Sequence, residues 1–149
     1  MTSLIWATPA EVRAYPGSGI PADMTDDVLG QYITKAVRAL ERVIIRWPTV
    51  DSETGRAFDA EVRTEMIAAV AETIKARRKA EAVEDSLGGL APILAAGGTI
   101  STKTLSASTG TSSAGATGAA IGERATRVPI DAIDALQSAG LIGGSARTW

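Results

Sequence analysis

The chain changes composition at Ser86, and this change limits which part of it can build a compact core. Residues 1–85 carry 25 charged side chains, whereas residues 86–122 carry only Lys103 and include eight glycines. Most of that segment is Ala, Ser and Thr, which offer too little apolar surface to offset the entropy lost on ordering. It also contains several Ile and Leu residues, which a plain flexible linker would lack. We therefore expect the segment to gain order by contacting other copies of the chain.

The distribution of aromatic residues places the expected core in the first part of the chain. Five of the six aromatic side chains lie within residues 1–58, and the sixth is Trp149. At 149 residues the chain has the length of one ordinary domain. We predict a helical core over 1–85 that folds without the rest, a low-charge arm or hairpin over 86–128, and a C-terminal helix and tail over 129–149.

The composition argues against several functional classes. The chain has no cysteine and no histidine, so Ser–His–Asp and Cys–His catalysis is impossible within one chain. We expect no enzyme activity, no cofactor and no metal. A net charge of −2 without a strongly basic region argues against a dedicated nucleic-acid binder. We expect neither a signal peptide at the N-terminus nor a membrane segment in the uncharged run, which glycines and Pro92 interrupt.

Three helices are predicted in the first 85 residues. Thr8, Pro9 and Glu11 form a capping box at the start of a short first helix. Thr25 caps the second helix, whose apolar residues recur at three- and four-residue spacing until Pro48 stops it. The third helix is expected from about Asp59 to about Ala82, packed antiparallel to the second. The predicted apolar stripes are Val28, Leu29, Tyr32, Ile33, Ala36, Val37, Leu40, Val43 and Ile44 on the second helix and Val62, Met66, Ala69, Val70, Thr73 and Ile74 on the third.

An extended hairpin is predicted beyond Ser86. Residues 99–106 are rich in β-branched side chains, and residues 119–128 are the expected returning strand. The Gly/Ser/Thr tract 108–118 would form the tip.

A last amphipathic helix is predicted to begin at Pro129. Ile130, Ile133 and Leu136 share one side of it, and Gly140 is suited to end it in the left-handed conformation. The predicted fold class is therefore mainly α: a small antiparallel helical bundle with a Gly/Ser/Thr-rich, β-hairpin-like arm and a C-terminal helix and tail.

One loop has part of the spacing of a calcium site. Asp51, Glu53 and Gly55 follow the start of an EF-hand loop, but one oxygen ligand before the glycine is missing. We expect a solvated turn between helices, with calcium binding as a minor alternative.

Arg38, Arg42 and Arg46 stand at four-residue intervals on the predicted second helix. They form either an electropositive stripe that faces acidic neighbours in an assembly or the ordinary exposed side of an amphipathic helix. Trp149 either anchors in a partner's pocket or belongs to a frayed end. The complete set of candidate interface residues is Arg38, Arg42, Arg46, Ile100, Leu105, Ile133, Leu136 and Trp149.

The order of these segments resembles the head-to-tail adaptor, or connector, proteins of tailed bacteriophages. The resemblance is carried by the opening WATPAEVRAY, the ladder DDVLGQYITKAVRALERVIIRW and the helix VRTEMIAAVAETIKAR. It implies a structural virion protein at the head–tail interface that forms a dodecameric ring beneath the portal protein. It further implies that the ring extends the DNA channel without binding DNA specifically and docks a downstream stopper or tail protein. A mildly acidic chain suits this role, because it would not hold DNA that must slide past.

Two other functions remain open at this point. One is a small helical partner-binding protein with a disordered C-terminal region. The other, which we rank well behind, is a hydrolase that uses carboxylates alone.

Overall fold

The structure is a computed structural model, and it describes residues 4–86, 99–101, 106–108 and 128–143. It confirms the predicted mainly α class. The described residues divide into two compact units, one drawn from Met1–Lys75 and Val128–Trp149 and the other from Ala76–Arg127. The elements in chain order are α1 (Pro9–Ala14), α2 (Asp26–Leu40), α3 (Ala60–Ser86), β1 (Thr99–Ser101), β2 (Ser106–Ser108) and α4 (Ile130–Ser138).

The predicted capping box at the start of α1 is confirmed. The Thr8 hydroxyl accepts a hydrogen bond from the Glu11 backbone N–H, and the Glu11 carboxylate accepts one from the Thr8 N–H at 2.9 Å. Pro9 occupies the first turn, where its missing N–H costs nothing. The helix ends at Ala14, because Tyr15 precedes Pro16 and is extended, the conformation that a following proline favours.

Helix α2 begins as predicted but ends earlier. Thr25 caps it by accepting a hydrogen bond from the Val28 N–H, and the helix stops at Leu40 rather than near Pro48. After Glu41 and Arg42 come three β-branched residues, Val43, Ile44 and Ile45, whose side chains lose rotamer freedom in a helix. The N–H groups of Val43 and Ile44 instead donate to the Leu40 carbonyl at 3.0 and 3.2 Å, which forms a turn.

Most of the predicted stripes of α2 and α3 are buried. Leu29, Ile33, Ala36 and Leu40 of α2 belong to the same core as Met66, Ala69, Val70, Thr73 and Ile74 of α3, all less than one-tenth exposed. Val28 is the exception in α2 and is 42% exposed. The antiparallel arrangement of the two helices stays a prediction.

Helix α4 corrects the expectation that the core lies within residues 1–85. Ala132, Ala135 and Leu136 are buried in the same hydrophobic cluster as residues from α1, α2 and α3, together with Val128 and Leu141. The predicted division at residues 85 and 128 is therefore replaced by a unit in which α4 completes the core of residues 1–75. The aromatic residues did not predict this part of the core, because the buried side chains of α4 are aliphatic and follow the low-charge segment.

The buried side of α4 also differs from the predicted one. Ile130 is 66% exposed, and Ile133 is half-buried rather than buried. The inward side is formed instead by two alanines and Leu136, because small residues allow the helix to approach the core closely.

The end of α4 follows the prediction for Gly140. Its φ of 71° is left-handed, and its N–H donates to the Gln137 carbonyl at 2.9 Å. The next N–H, that of Leu141, donates to the Leu136 carbonyl at 2.9 Å, which completes a Schellman motif. The turn places Leu141 back in the core, where it is 3% exposed.

The second unit contains a short antiparallel ladder in which Thr99 pairs with Ser108 and Ser101 with Ser106. This corrects the expected single strand over 99–106, which instead contributes to both strands. The expected returning strand 119–128 and tip 108–118 lie almost wholly outside the described residues. Val128, the last residue of the expected returning strand, is described and belongs to the core of the first unit.

None of the described helices is long and apolar enough to cross a membrane.

We predict that Leu136→Ala lowers the free energy of unfolding by about 2–5 kcal/mol, because it removes a fully buried side chain and leaves a cavity. Ile130→Ala in the same helix should change it by less than about 1 kcal/mol, since that side chain is mostly exposed. Urea denaturation followed by circular dichroism measures both. Equal losses at the two positions would contradict the assignment of the buried side.

A second pair tests the end of α2. Leu40→Ala should cost about 2–5 kcal/mol, because Leu40 is fully buried in the last turn. Arg42→Ala should cost less than about 1 kcal/mol, because Arg42 is exposed in the following turn. The same denaturation measurement applies, and a large loss at Arg42 would show that this turn contributes to the core.

Candidate assembly surface

The segment after α2 is held against the end of α4 by backbone hydrogen bonds. The Leu141 carbonyl accepts from the Ile45 N–H at 2.9 Å and from the Arg46 N–H at 3.0 Å. Leu141 lies just after the Schellman turn that ends α4, and this turn directs its carbonyl to the segment after α2. The positions of Ile45, Arg46 and Trp47 are thereby fixed relative to the core.

The next segment is a tight turn that leads into α3. Val50 and Ala57 form an isolated antiparallel bridge, and the Phe58 N–H donates to the Thr49 carbonyl at 2.8 Å. Gly55 adopts a φ of 69°, which only glycine adopts without strain. The Arg63 guanidinium in α3 donates to the Ala57 carbonyl at 3.1 Å. The turn therefore has a defined backbone at both ends.

An ion pair joins this turn to α1. The Arg56 guanidinium donates to the Glu11 carboxylate, which also closes the capping box with Thr8. Chiefly because of Arg56, and despite partial burial, the pKa of Glu11 is lowered to about 2. The Gly55 carbonyl accepts from the Ile5 N–H at 2.8 Å, which adds a second link to the N-terminal segment.

Two large aromatic side chains are exposed at the base of this turn. Trp47 is 60% exposed and Phe58 is 73% exposed, and Ile45 beside them is 72% exposed. Trp47 and Phe58 line an open groove of about 400 Å³, which we call the aromatic groove. Its other lining residues are Arg46, Pro48, Thr49, Asp59, Val62, Ala139, Gly140 and Leu141. Exposed aromatic side chains on a fixed backbone are typical of protein-contact surfaces.

Sequence reasoning missed this surface. Trp47 was interpreted as part of a helix end, and Phe58 was counted toward the core. The available signal was the position of Trp47 directly before Pro48, since a residue before proline is usually extended and outside a helix.

The three candidate arginines do not form a helical stripe. Arg38 lies on α2, whereas Arg42 and Arg46 follow the end of the helix. All three are exposed, and none forms an ion pair with a residue that the structure describes. Arg46 lines the aromatic groove, and Arg38 lines a separate groove of about 310 Å³ beside Trp6.

The remaining interface candidates have different outcomes. Leu136 is fully buried in the core, so its assignment to an interface was wrong for the chain as folded. Ile133 is half-buried on α4, and the backbone of Ile100 pairs with Ala107 in the short ladder. Leu105 and Trp149 lie outside the described residues.

The Asp51 carboxylate is engaged within its own loop. It accepts hydrogen bonds from the Glu53 N–H at 3.0 Å and from the Thr54 hydroxyl at 2.8 Å, and these bonds lower its pKa. No cluster of three or more Asp, Glu, His or Cys side chains suited to a metal ion occurs among the described residues. The geometry at Asp51 fits the predicted turn between helices.

The opposite end of α4 has acidic surroundings. The Tyr15 hydroxyl donates to the Glu72 carboxylate at 3.3 Å, and Lys75 pairs with Glu72 at 3.2 Å. Burial raises the pKa of Tyr15, and the negative charges of Glu72 and Asp131 raise it further. Asp131 and Asp134 are exposed on α4.

Comparison with protein-family models, curated proteins and solved structures found no match to this chain. The function is therefore argued from the sequence and from the geometry above.

The ion pair between Glu11 and Arg56 predicts an acid-sensitive fold. Because the pKa of Glu11 is lowered on folding from 4.5 to about 2, its stabilisation is complete above the unfolded value and is lost as the pH falls toward 2. The loss at this residue should be on the order of 2–3 kcal/mol. We expect Glu11→Gln to reduce the difference in unfolding free energy between pH 7 and pH 3 by a comparable amount.

Glu53→Gln is the matched control, because Glu53 is exposed and its side chain forms no ion pair with a described residue. Urea denaturation at the two pH values measures both variants. A Glu11 variant with the pH dependence of the wild type would contradict the proposed role of the pair.

Proposed function

We propose that this chain is a head-to-tail adaptor of a tailed bacteriophage. In this role, copies of the chain form a ring beneath the portal protein, extend the DNA channel and dock the next tail-completion protein. The protein would therefore be a structural component of the virion at the head–tail interface.

The observation that carries this proposal is the aromatic groove. Trp47 and Phe58 expose large apolar surfaces on a backbone that is hydrogen-bonded to α4 and, through Arg56, linked to α1. Exposing such side chains to water is unfavourable, and they contribute most when a protein partner covers them. A subunit that works within an assembly requires a contact surface of this kind.

The sequence supplies the second line of support. The order of a short capped helix, two long amphipathic helices, a low-charge segment and a last helix resembles that of the adaptor family. In the proposed assembly, residues 1–75 and α4 form the body of each subunit as a small helical bundle. The segment 86–127 acts as an arm that contacts neighbouring copies, and its seven scattered Ile and Leu side chains provide the apolar anchors.

The charge of the chain is compatible with a DNA channel. A net charge of −2 gives no strong attraction to the phosphate backbone. DNA can then pass through the ring without being held, while the contacts between subunits are made by protein surfaces.

A small partner-binding protein is the second candidate, and the same aromatic groove favours it. That candidate was expected to have a disordered C-terminal region, whereas Ala132, Ala135 and Leu136 of α4 are buried in the core. The packing of α4 therefore supports a subunit in which both ends of the chain contribute to one body.

Native mass spectrometry of the full-length protein tests the proposal, alone and with the purified portal protein encoded in the same genome. We expect assemblies whose masses are multiples of 15.3 kDa and which bind portal rings with a fixed number of copies, twelve if the family resemblance holds. A monomer that leaves the portal mass unchanged at all concentrations would overturn the adaptor function.

Trp47→Ala should weaken assembly or portal binding at least tenfold, because it removes one of the two exposed aromatic side chains that line the groove. Ile5→Ala is the matched control, since Ile5 is a partly exposed apolar residue that does not line the aromatic groove. Equal effects of the two substitutions would show that the groove is not the contact surface.

A further inference from the structure

The aromatic groove leaves open which surface covers it. Trp47, Phe58 and Ile45 are each at least 60% exposed, so their apolar area is in contact with water in the isolated chain. A covering surface must present an apolar side chain for the groove and must suit the charges around it.

The groove lining carries one positive side chain, Arg46, and one negative side chain, Asp59. Arg46 lines the groove and Arg42 lies four residues earlier, and neither forms an ion pair with a described residue. Asp59 also lines the groove, but its carboxylate accepts a hydrogen bond from the Glu61 N–H at 2.8 Å at the start of α3. The helix dipole partly offsets the charge of Asp59, so an apolar and acidic surface is complementary to the Arg46 side of the groove.

The first turn of α4 has this composition. Ile130 is 66% exposed, and Asp131 and Asp134 are exposed beside it. Neither aspartate forms an ion pair with a residue that the structure describes. The start of α4 therefore presents one exposed apolar side chain with two aspartates beside it.

The two surfaces lie at opposite ends of the same helix. The groove is lined by Gly140 and Leu141, just after α4 ends, whereas Ile130 begins it. A helix of nine residues separates them by about 13 Å, so the two surfaces cannot cover each other within one copy. Contact between two copies would be head-to-tail, and such a contact repeats in every added copy, giving a ring where the rotation closes and a filament where it does not.

We infer that the first turn of α4 in one copy docks on the aromatic groove of a second copy. Ile130 enters the groove against Trp47 and Phe58, while Asp131 and Asp134 face Arg42 and Arg46. This inference rests on the proposed ring function and identifies the surfaces that join neighbouring subunits.

The physical character of this contact determines how it responds to salt. The aromatic side chains supply most of the affinity, and the exposed charges mainly set the orientation and the rate of association. Because exposed charges are screened by salt, the dissociation constant should rise severalfold between about 50 mM and 500 mM NaCl.

Charge exchange tests the inference. One variant carries Arg42→Glu and Arg46→Glu, and the other carries Asp131→Lys and Asp134→Lys. Each variant alone places like charges at the contact, and we expect at least a tenfold loss of self-association by sedimentation velocity. An equimolar mixture should assemble again in alternating order, because one contact is then native and the other is reversed. The chain with all four substitutions should assemble with itself but not with the wild type.

Two controls match the changes in charge and in position. Lys35→Glu with Lys79→Glu alters two exposed lysines that do not line the groove. Asp23→Lys with Asp27→Lys alters two exposed aspartates, one just before α2 and one in its first turn. Both controls should assemble as the wild type does. Circular dichroism of every variant shows whether the helices are retained.

The outcomes separate this inference from the proposed function. A variant of either surface that assembles like the wild type overturns the inference and leaves the ring function standing. Restoration in the mixture together with no binding to the portal supports the inference and counts against the adaptor function. A wild-type chain that stays monomeric at about 200 µM, alone and with portal, overturns both.

Discussion

The burial of α4 against residues that lie more than fifty positions earlier is the contact on which the rest of this structure depends. Leu136 is fully buried with side chains from α2 and α3, and the Leu141 carbonyl holds the backbone of Ile45 and Arg46. The chain between Lys75 and Val128 must therefore return to the body of the first unit. Loop-closure entropy grows only with the logarithm of loop length, by about 0.6 kcal/mol for each doubling. A long low-charge segment is thus compatible with a body built from both ends of the chain.

A second group of contacts determines where the exposed aromatic side chains stand. Glu11 closes the capping box of α1 and binds Arg56, so the same carboxylate caps the helix and holds the turn that contains Arg56. On the other side of the groove, Leu141 fixes the backbone of Arg46. Trp47 directly follows Arg46, and Phe58 follows Arg56 by two residues. A contact residue on a fixed backbone loses little additional entropy on binding, which is why this arrangement suits an interface better than a mobile loop would.

Local signals in the sequence predicted much of the fold. Thr8 and Thr25 marked helix starts because a hydroxyl there accepts a hydrogen bond from a free N–H of the first turn, and Gly140 marked an end because the position requires a positive φ. The end of α2 was wrong because periodicity continued through Val43 and Ile44, which remain half-buried although the helix has stopped. Their burial comes from a turn, and hydrophobic spacing does not distinguish such a turn from a helix. The position of Trp47 before Pro48 is a local sign that it lies outside a helix, but the placement of its segment depends on the hydrogen bonds of Ile45 and Arg46 to Leu141, which no local pattern encodes.

The candidate interface also shows how a small chain can carry two different contact surfaces without burying either of them itself. Among the large apolar side chains that the structure describes, Phe58, Ile45 and Ile130 have the three largest exposed fractions. Phe58 lines the groove after the end of α4, the Ile45 backbone is bonded to Leu141 there, and Ile130 begins the helix. If both surfaces were equally charged, neighbouring copies would repel; here one end carries arginines and the other aspartates. Opposite charge at the two ends disfavours symmetric dimers, in which like surfaces would meet, and favours head-to-tail order. In the proposed assembly, heterologous contacts of this kind close into a ring only when the rotation per subunit divides a full turn, and any other rotation gives an open filament.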